Sequence, residues 1–200
     1  MRKQIMAVFG LAVFCSAVLA FVASSSLAIA QQKAAATKDR QVQSTVKDIM
    51  DAIVDPSADV IWGAVGTVVD ETGVHESSPK SDEDWANMHR AAIRIIEGGN
   101  LLTVPGRDVA PPGTKSETPG VELEPAEIAA IIRNKRNSFD AFARALRGMG
   151  FEVLTAAEKK DAASLIEIGG RLQDVCENCH QTFWYPNAAQ PGANRPIGRK

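Results

Sequence analysis

The stretch Leu165-Ile-Glu-Ile-Gly-Gly-Arg-Leu-Gln-Asp-Val-Cys-Glu-Asn-Cys-His-Gln-Thr-Phe183 decides how the rest of the chain is read. From just before it, Ala162, Leu165, Gly169, Leu172, Cys176, Cys179 and Phe183 follow one another in alternating steps of three and four. That rhythm keeps one stripe of an α-helix turned toward a partner crossing at a shallow angle. Thr155-Ala-Ala-Glu158, with the spacing of a capping box, is expected to open this helix. A helix turns about 100° per residue, so Cys179 falls roughly 60° to one side of Cys176 and His180 roughly 40° to the other. All three project from one face.

Three further segments carry the helical period, and no run of alternating apolar residues argues for a strand. The first covers residues 40–70, with Val46, Met50, Ile53, Val60, Ala64 and Val68 near one face. Pro56 predicts a kink there, or two short helices meeting, because proline removes a hydrogen bond and crowds the preceding turn. The second starts at Ser81, an N-cap with Asp84 three residues on. It turns Trp85, Met88, Ala92, Ile95, Gly99 and Leu102 inward, with Gly98 and Gly99 as its expected end. The third has Pro125 in its first turn and the stripe Ile128, Ile132, Lys135, Phe139, Phe142, Leu146, Met149, closed by Gly148 and Gly150. Residues 151–154 would then make a short turn into the last helix. Residues 103–124, rich in proline and glycine, are too long for a tight turn. The expectation is an all-α fold, an antiparallel four-helix bundle over residues 31–185 with a flexible tail over 186–200.

Residues 1–30 stand apart from that core. Arg2 and Lys3 precede an apolar run from Ile5 to Ala23, and Ala28-Ile29-Ala30 is a small-x-small site: the layout of a cleaved signal peptide, with Gln31 as the first mature residue. The competing reading is a retained membrane anchor. Cleavage implies export, and no stable membrane insertion afterwards. It takes Cys15 with it, and the loss of Arg2 and Lys3 lowers the formal net charge from −2 by two units. An acidic mature chain lacks the basic surface that nucleic-acid binding requires.

Of the three cysteines, Cys176 and Cys179 remain, and His180 follows them directly. C-x-x-C-H is the attachment signature of c-type haem. Two thiols reach the vinyl groups on one porphyrin edge while the next imidazole reaches the iron. Three other readings exist. A Cys176–Cys179 disulfide would strain a regular helix. A thioredoxin-like pair needs a βαβ setting. A zinc site needs two more ligands, with only His75 and His89 left among the histidines.

A C-x-x-C-H at the end of the last helix of four resembles the class II cytochromes c, cytochrome c′ and its low-spin relatives. The resemblance is carried by Ile168-Gly-Gly-Arg-Leu-Gln-Asp-Val-Cys-Glu-Asn-Cys-His-Gln-Thr-Phe183, with glycines two turns before the first cysteine and an aromatic three residues after the histidine. The chain departs from that pattern at Trp184, where relatives often carry Arg or Lys. Relatives with low-spin haem carry a methionine in the first helix, which here implies Met50 as the second iron ligand opposite His180. Core packing is the alternative role for that side chain. Lys47 is a candidate partner for a haem propionate. His89 is the rival ligand, set off the second helix's stripe. His75 is expected in an exposed loop, and Met149, Trp62 and Trp85 in packing roles.

The resemblance implies one covalent haem c with its iron, in a periplasmic electron-transfer protein, not an enzyme, that meets redox partner proteins and forms a possible homodimer. Two alternatives are a five-coordinate protein that binds NO or CO, and a small peroxidase or haem subunit of a larger oxidoreductase. The peroxidase reading would want polar groups on the first helix, which offers mainly Val46, Ile49, Met50 and Ile53.

Overall fold

Thr45 opens the first helix with a capping box: its Oγ1 accepts from the Asp48 N–H at 3.1 Å, and Asp48 Oδ2 accepts the Thr45 N–H at 2.8 Å. The computed structural model describes residues 42–186. The expected leader over 1–30 with Cys15, the start at Gln31 and the tail past residue 186 lie outside the described residues. The described residues are mostly helical. In order they form α1 (Val46–Ile49), a π turn (Met50–Val54), α2 (Asp55–Ala64), β1 (Gly66–Asp70), β2 (Gly73–Ser77), α3 (Asp82–Leu102), α4 (Pro125–Asn134), α5 (Arg136–Lys159) and α6 (Ala162–Phe183).

Pro56 does not break the first helix. The chain stays helical from Val46 to Ala64, and the adjustment is the wide turn just before the proline. There Asp55 N–H bonds the carbonyl of Met50, five residues back instead of four. Pro56 then sits in the first turn of α2, where a missing N–H is tolerated. The helix ends at Ala64, short of the expected residue 70, because Val65 is extended. Residues expected to be helical and loop instead form an antiparallel hairpin, Gly66 opposite Ser77 and Val69 opposite Val74. Thr67, Val68, Val69 and Val74 are strand formers, and Gly73, at φ 131°, allows the tight turn.

Glycine also misled the reading of α3 and α5. Gly98 and Gly99 lie inside α3, and Gly148 and Gly150 inside α5. A Cβ on Gly99 would lie 2.7 Å from the Ala143 carbonyl oxygen, and one on Gly150 2.9 Å from the Ile96 nitrogen. These two glycines let two helix backbones touch; they do not end either helix. The contacts also show that α3 and α5 run antiparallel. The expected third helix is divided at Lys135, which leaves helical geometry at φ −119° and ψ 37°. Thr155 is no cap: it lies within α5, and its hydroxyl donates to the Phe151 carbonyl. The connection is Lys160, left-handed at φ 53°, followed by Asp161, whose carboxylate accepts the Ser164 N–H at 3.1 Å.

α5 and α6 run antiparallel, with Glu152 against Arg171 at one end and Phe139 against Phe183 at the other. α6 also meets α2, where Trp62 Nε1 donates to the Gly169 carbonyl at 3.0 Å. α2 packs on α3, and Val54 of the π turn lies beside Gly98. Ile49, Ile61, Met88, Ile95, Ile128, Leu165, Leu172 and Phe183 are fully buried between these helices. Each is worth about 1.5–3 kcal/mol of transfer free energy. Among the described residues, no helix is long and apolar enough to cross a membrane.

Candidate functional site

The last two turns of α6 carry Cys176, Cys179 and His180 on its inner side, as steps of three and four dictate. Both cysteines are free thiols, half-buried. Burial pushes the Cys176 thiol up to about 11, helped by the charges of Asp55 and Glu177. Burial likewise raises Cys179 to about 12, helped by Cys176. Neither is a thiolate at neutral pH. Burial lowers the His180 imidazole, with Asp55, Glu177 and Glu122 pulling the other way. Held neutral, its ring offers a nitrogen lone pair.

Two cavities of about 200 and 220 Å³ open beside these groups, and Met50, Asp55, Phe139, Cys179 and His180 line both. Cys176 lines the second only. The four expected site residues therefore all line the second cavity, three from α6 and Met50 from the π turn. Met50 is half-buried and packs against the core. Phe183 makes edge-to-face contacts with Phe139 at 5.5 Å and Phe142 at 6.2 Å, closing the floor.

Residues 103–124 are a strap over the first cavity. Their backbone accepts the first two N–H groups of α1, Val46 to the Asp108 carbonyl and Lys47 to the Val109 carbonyl, both at 2.8 Å. Helix-start donors left over by geometry are thus satisfied by the strap. At its other end Leu123 N–H bonds the Trp184 carbonyl at 2.9 Å, just past α6. Arg107 donates to the Ser44 carbonyl and to the Leu101 carbonyl, tying the strap to both flanking segments. The strap so joins the start of α1, one turn before Met50, to Trp184, just past the end of α6 that carries His180.

The remaining candidates separate clearly. Lys47 lines the first cavity but is held by Glu117 at 2.7 Å and Asp51 at 3.1 Å. The hydrogen bond that Lys47 donates to Glu117 leads in raising its pKa. His89 is exposed on α3 and lines neither cavity. His75 is exposed, as expected, but on strand β2, with Nε2 2.7 Å from Thr72 Oγ1. Trp85 is core and Met149 packs beside it. Trp62 lines the second cavity and Trp184 the first, next to Tyr185, whose ring lies 5.8 Å from that of His180.

Asp55 is the residue that sequence reading missed. The residue as a whole is exposed, yet its carboxyl is raised by desolvation first, opposed by His180 and reinforced by Asp51 and Asp59. Its surroundings are thus a cavity mouth, not open water. Regular α-helical phase would turn Asp55 about 140° away from Met50. Pro56 was the only hint in the sequence that the phase changes here.

The donor set suits a covalently held haem. Two neutral thiols and a neutral imidazole share one face, a thioether approaches from another helix, and the space between is lined by aromatic and aliphatic groups. Among the described residues, no three His, Cys, Asp or Glu side chains are grouped to hold a bare metal ion. No family model matches this chain, and no curated protein or solved structure is significantly similar to it.

Proposed function

We propose that this chain is an exported c-type cytochrome built as an antiparallel four-helix bundle, with one haem attached through Cys176 and Cys179. His180 and Met50 ligate the iron, and the protein carries electrons between partners in the periplasm. The observation that carries the reading is convergence: Met50 and the Cys176-Glu-Asn-Cys179-His180 segment, more than 120 residues apart in the chain, line one pair of cavities. The ring of contacts joining α2, α3, α5 and α6, with α5 antiparallel to both α3 and α6, supports the bundle.

The bound haem supplies one-electron exchange between ferric and ferrous iron. Everything else falls to the chain. The Cys176 and Cys179 thiols serve as attachment points, His180 offers a neutral nitrogen, and Met50 offers a soft, uncharged sulfur on a flexible stem. Phe139, Phe142 and Phe183 keep the cavities apolar, and the strap covers the side where α1 begins.

Acid–acetone extraction of protein purified from the periplasm tests this. The haem spectrum should stay with the polypeptide, at one haem per chain. A colourless protein, or haem that passes into the acetone, overturns the proposal.

A further inference from the structure

We infer that Asp55 sets the reduction potential of the haem site: the π turn brings its carboxylate onto the cavity wall beside Met50, where it favours the ferric state. The inference rests on the proposed haem attachment and goes beyond it, because Asp55 belongs to no attachment motif.

The geometry starts with the backbone. In a regular α-helix, residues five apart point about 140° away from each other. The bond from Asp55 N–H to the Met50 carbonyl spans five residues instead of four, which brings Asp55 back toward the side of the helix that carries Met50. Met50 and Asp55 consequently line the same two cavities together with Cys179 and His180. Isolated π turns within α-helices occur often at functional sites, since they re-aim side chains at a cost in regular bonding.

The surrounding charges single out Asp55. Asp51 and Glu117 share Lys47 at the edge of the first cavity. Glu177, on the second cavity, receives hydrogen bonds from Gln181 at 2.6 Å and Tyr185 at 2.7 Å. Glu122 lines the first cavity but not the second, and its carboxylate accepts the Thr118 N–H at 3.3 Å. Among the described residues, no lysine or arginine lies within ion-pairing distance of Asp55. Desolvation of its carboxyl agrees with a position on a partly closed, low-polarity wall. Ferric haem carries one more positive charge than ferrous, and a carboxylate acts on that difference more strongly there than in water. Nearby charge and burial are established levers on the potential of a metal site.

The test compares midpoint potentials of the haem-loaded wild type, Asp55→Asn, Asp55→Glu and Asp59→Asn. Asp59 lies one turn further along α2 and lines a separate groove beside the hairpin. Asp55→Asn should shift the potential upward with the low-spin spectrum unchanged, Asp55→Glu should restore the wild-type value, and Asp59→Asn should leave it unmoved. A potential unchanged in Asp55→Asn overturns the inference. So does an equal shift in Asp59→Asn, or a shift that comes with a changed coordination spectrum. The pyridine haemochrome spectrum separates the two claims. Absence of covalent haem defeats the proposed function and this inference together. Full covalent haem with an unmoved potential defeats this inference alone.

Discussion

Asp55 donates its backbone N–H to the carbonyl of Met50, and the two side chains line the same cavities as Cys179 and His180. A single widened turn thus carries a thioether and a carboxylate to one wall, where an unbroken α-helix would deliver only one of them. The cost falls on local backbone bonding and is absorbed just before Pro56, which cannot donate in any case.

Replacing Met50 by alanine should convert a low-spin protein into one that is five-coordinate or water-ligated, binds CO rapidly and has a lower potential. Optical spectra of both oxidation states, with and without CO, measure this. His89→Ala, on the exposed side of α3, should leave those spectra as they are. A wild type already high-spin and five-coordinate would assign the protein to gas binding.

The double variant Cys176→Ala, Cys179→Ala should lose covalent haem altogether and melt well below the wild type. Both thiols border the second cavity, so emptying it removes packing for Phe139, Phe142 and Leu146 as well. Large-to-small changes in packed interiors cost about 2–5 kcal/mol. Denatured mass spectrometry and thermal melts read the two effects separately.

Gly150→Ala should destabilise the fold by roughly 1–3 kcal/mol, the usual cost of overpacking. Its new methyl would lie 2.7 Å from Ile96 Cγ1 and 2.9 Å from the Ile96 nitrogen. Gly148→Ala, with nothing within 4 Å, should be neutral or stabilise by about 0.5–1 kcal/mol through better helix propensity. Urea titrations of the pair decide it. Equal effects at both positions would contradict the close approach of α3 and α5.

Three helix starts should make the protein acid-sensitive. Asp48 and Asp84 are lowered chiefly by the backbone N–H groups of Thr45 and Ser81, and Asp161 chiefly by the Ser164 hydroxyl. Each carboxylate binds its proton more weakly folded than unfolded. Their contribution is therefore complete above the ordinary aspartate value of 3.8 and is lost as pH falls below it. Melting temperature should hold steady down to that region and then drop. In Asp84→Asn, Asp161→Asn the drop should be shallower.

Local periodicity was enough to show that helices form, to give the buried faces of α3, α5 and α6, and to put Cys176, Cys179 and His180 on one side of the last. Those properties follow from the 3.6-residue period, which is local and repeats along the chain. Along the first helix the buried residues are Val46, Ile49, Val54, Ala58 and Ile61, not the expected Met50, Ile53, Val60 and Ala64. Helix ends were a different matter. Gly98, Gly99, Gly148 and Gly150 carry a weak local preference for ending a helix, and packing between α3 and α5 overrode it where backbones had to touch. Thr155 has capping chemistry, but the buried stripe through Val153, Ala156 and Ala157 continues past it, and burial outweighs a cap. The hairpin after Ala64 was hidden because five-residue strands with exposed valines show little alternation. That Asp55 lines the same cavities as Met50 comes from long-range packing. Its place depends on how one turn before Pro56 accommodates a missing hydrogen bond while α2 packs against both α3 and α6. That choice is made by contacts distant in sequence, which no local period encodes.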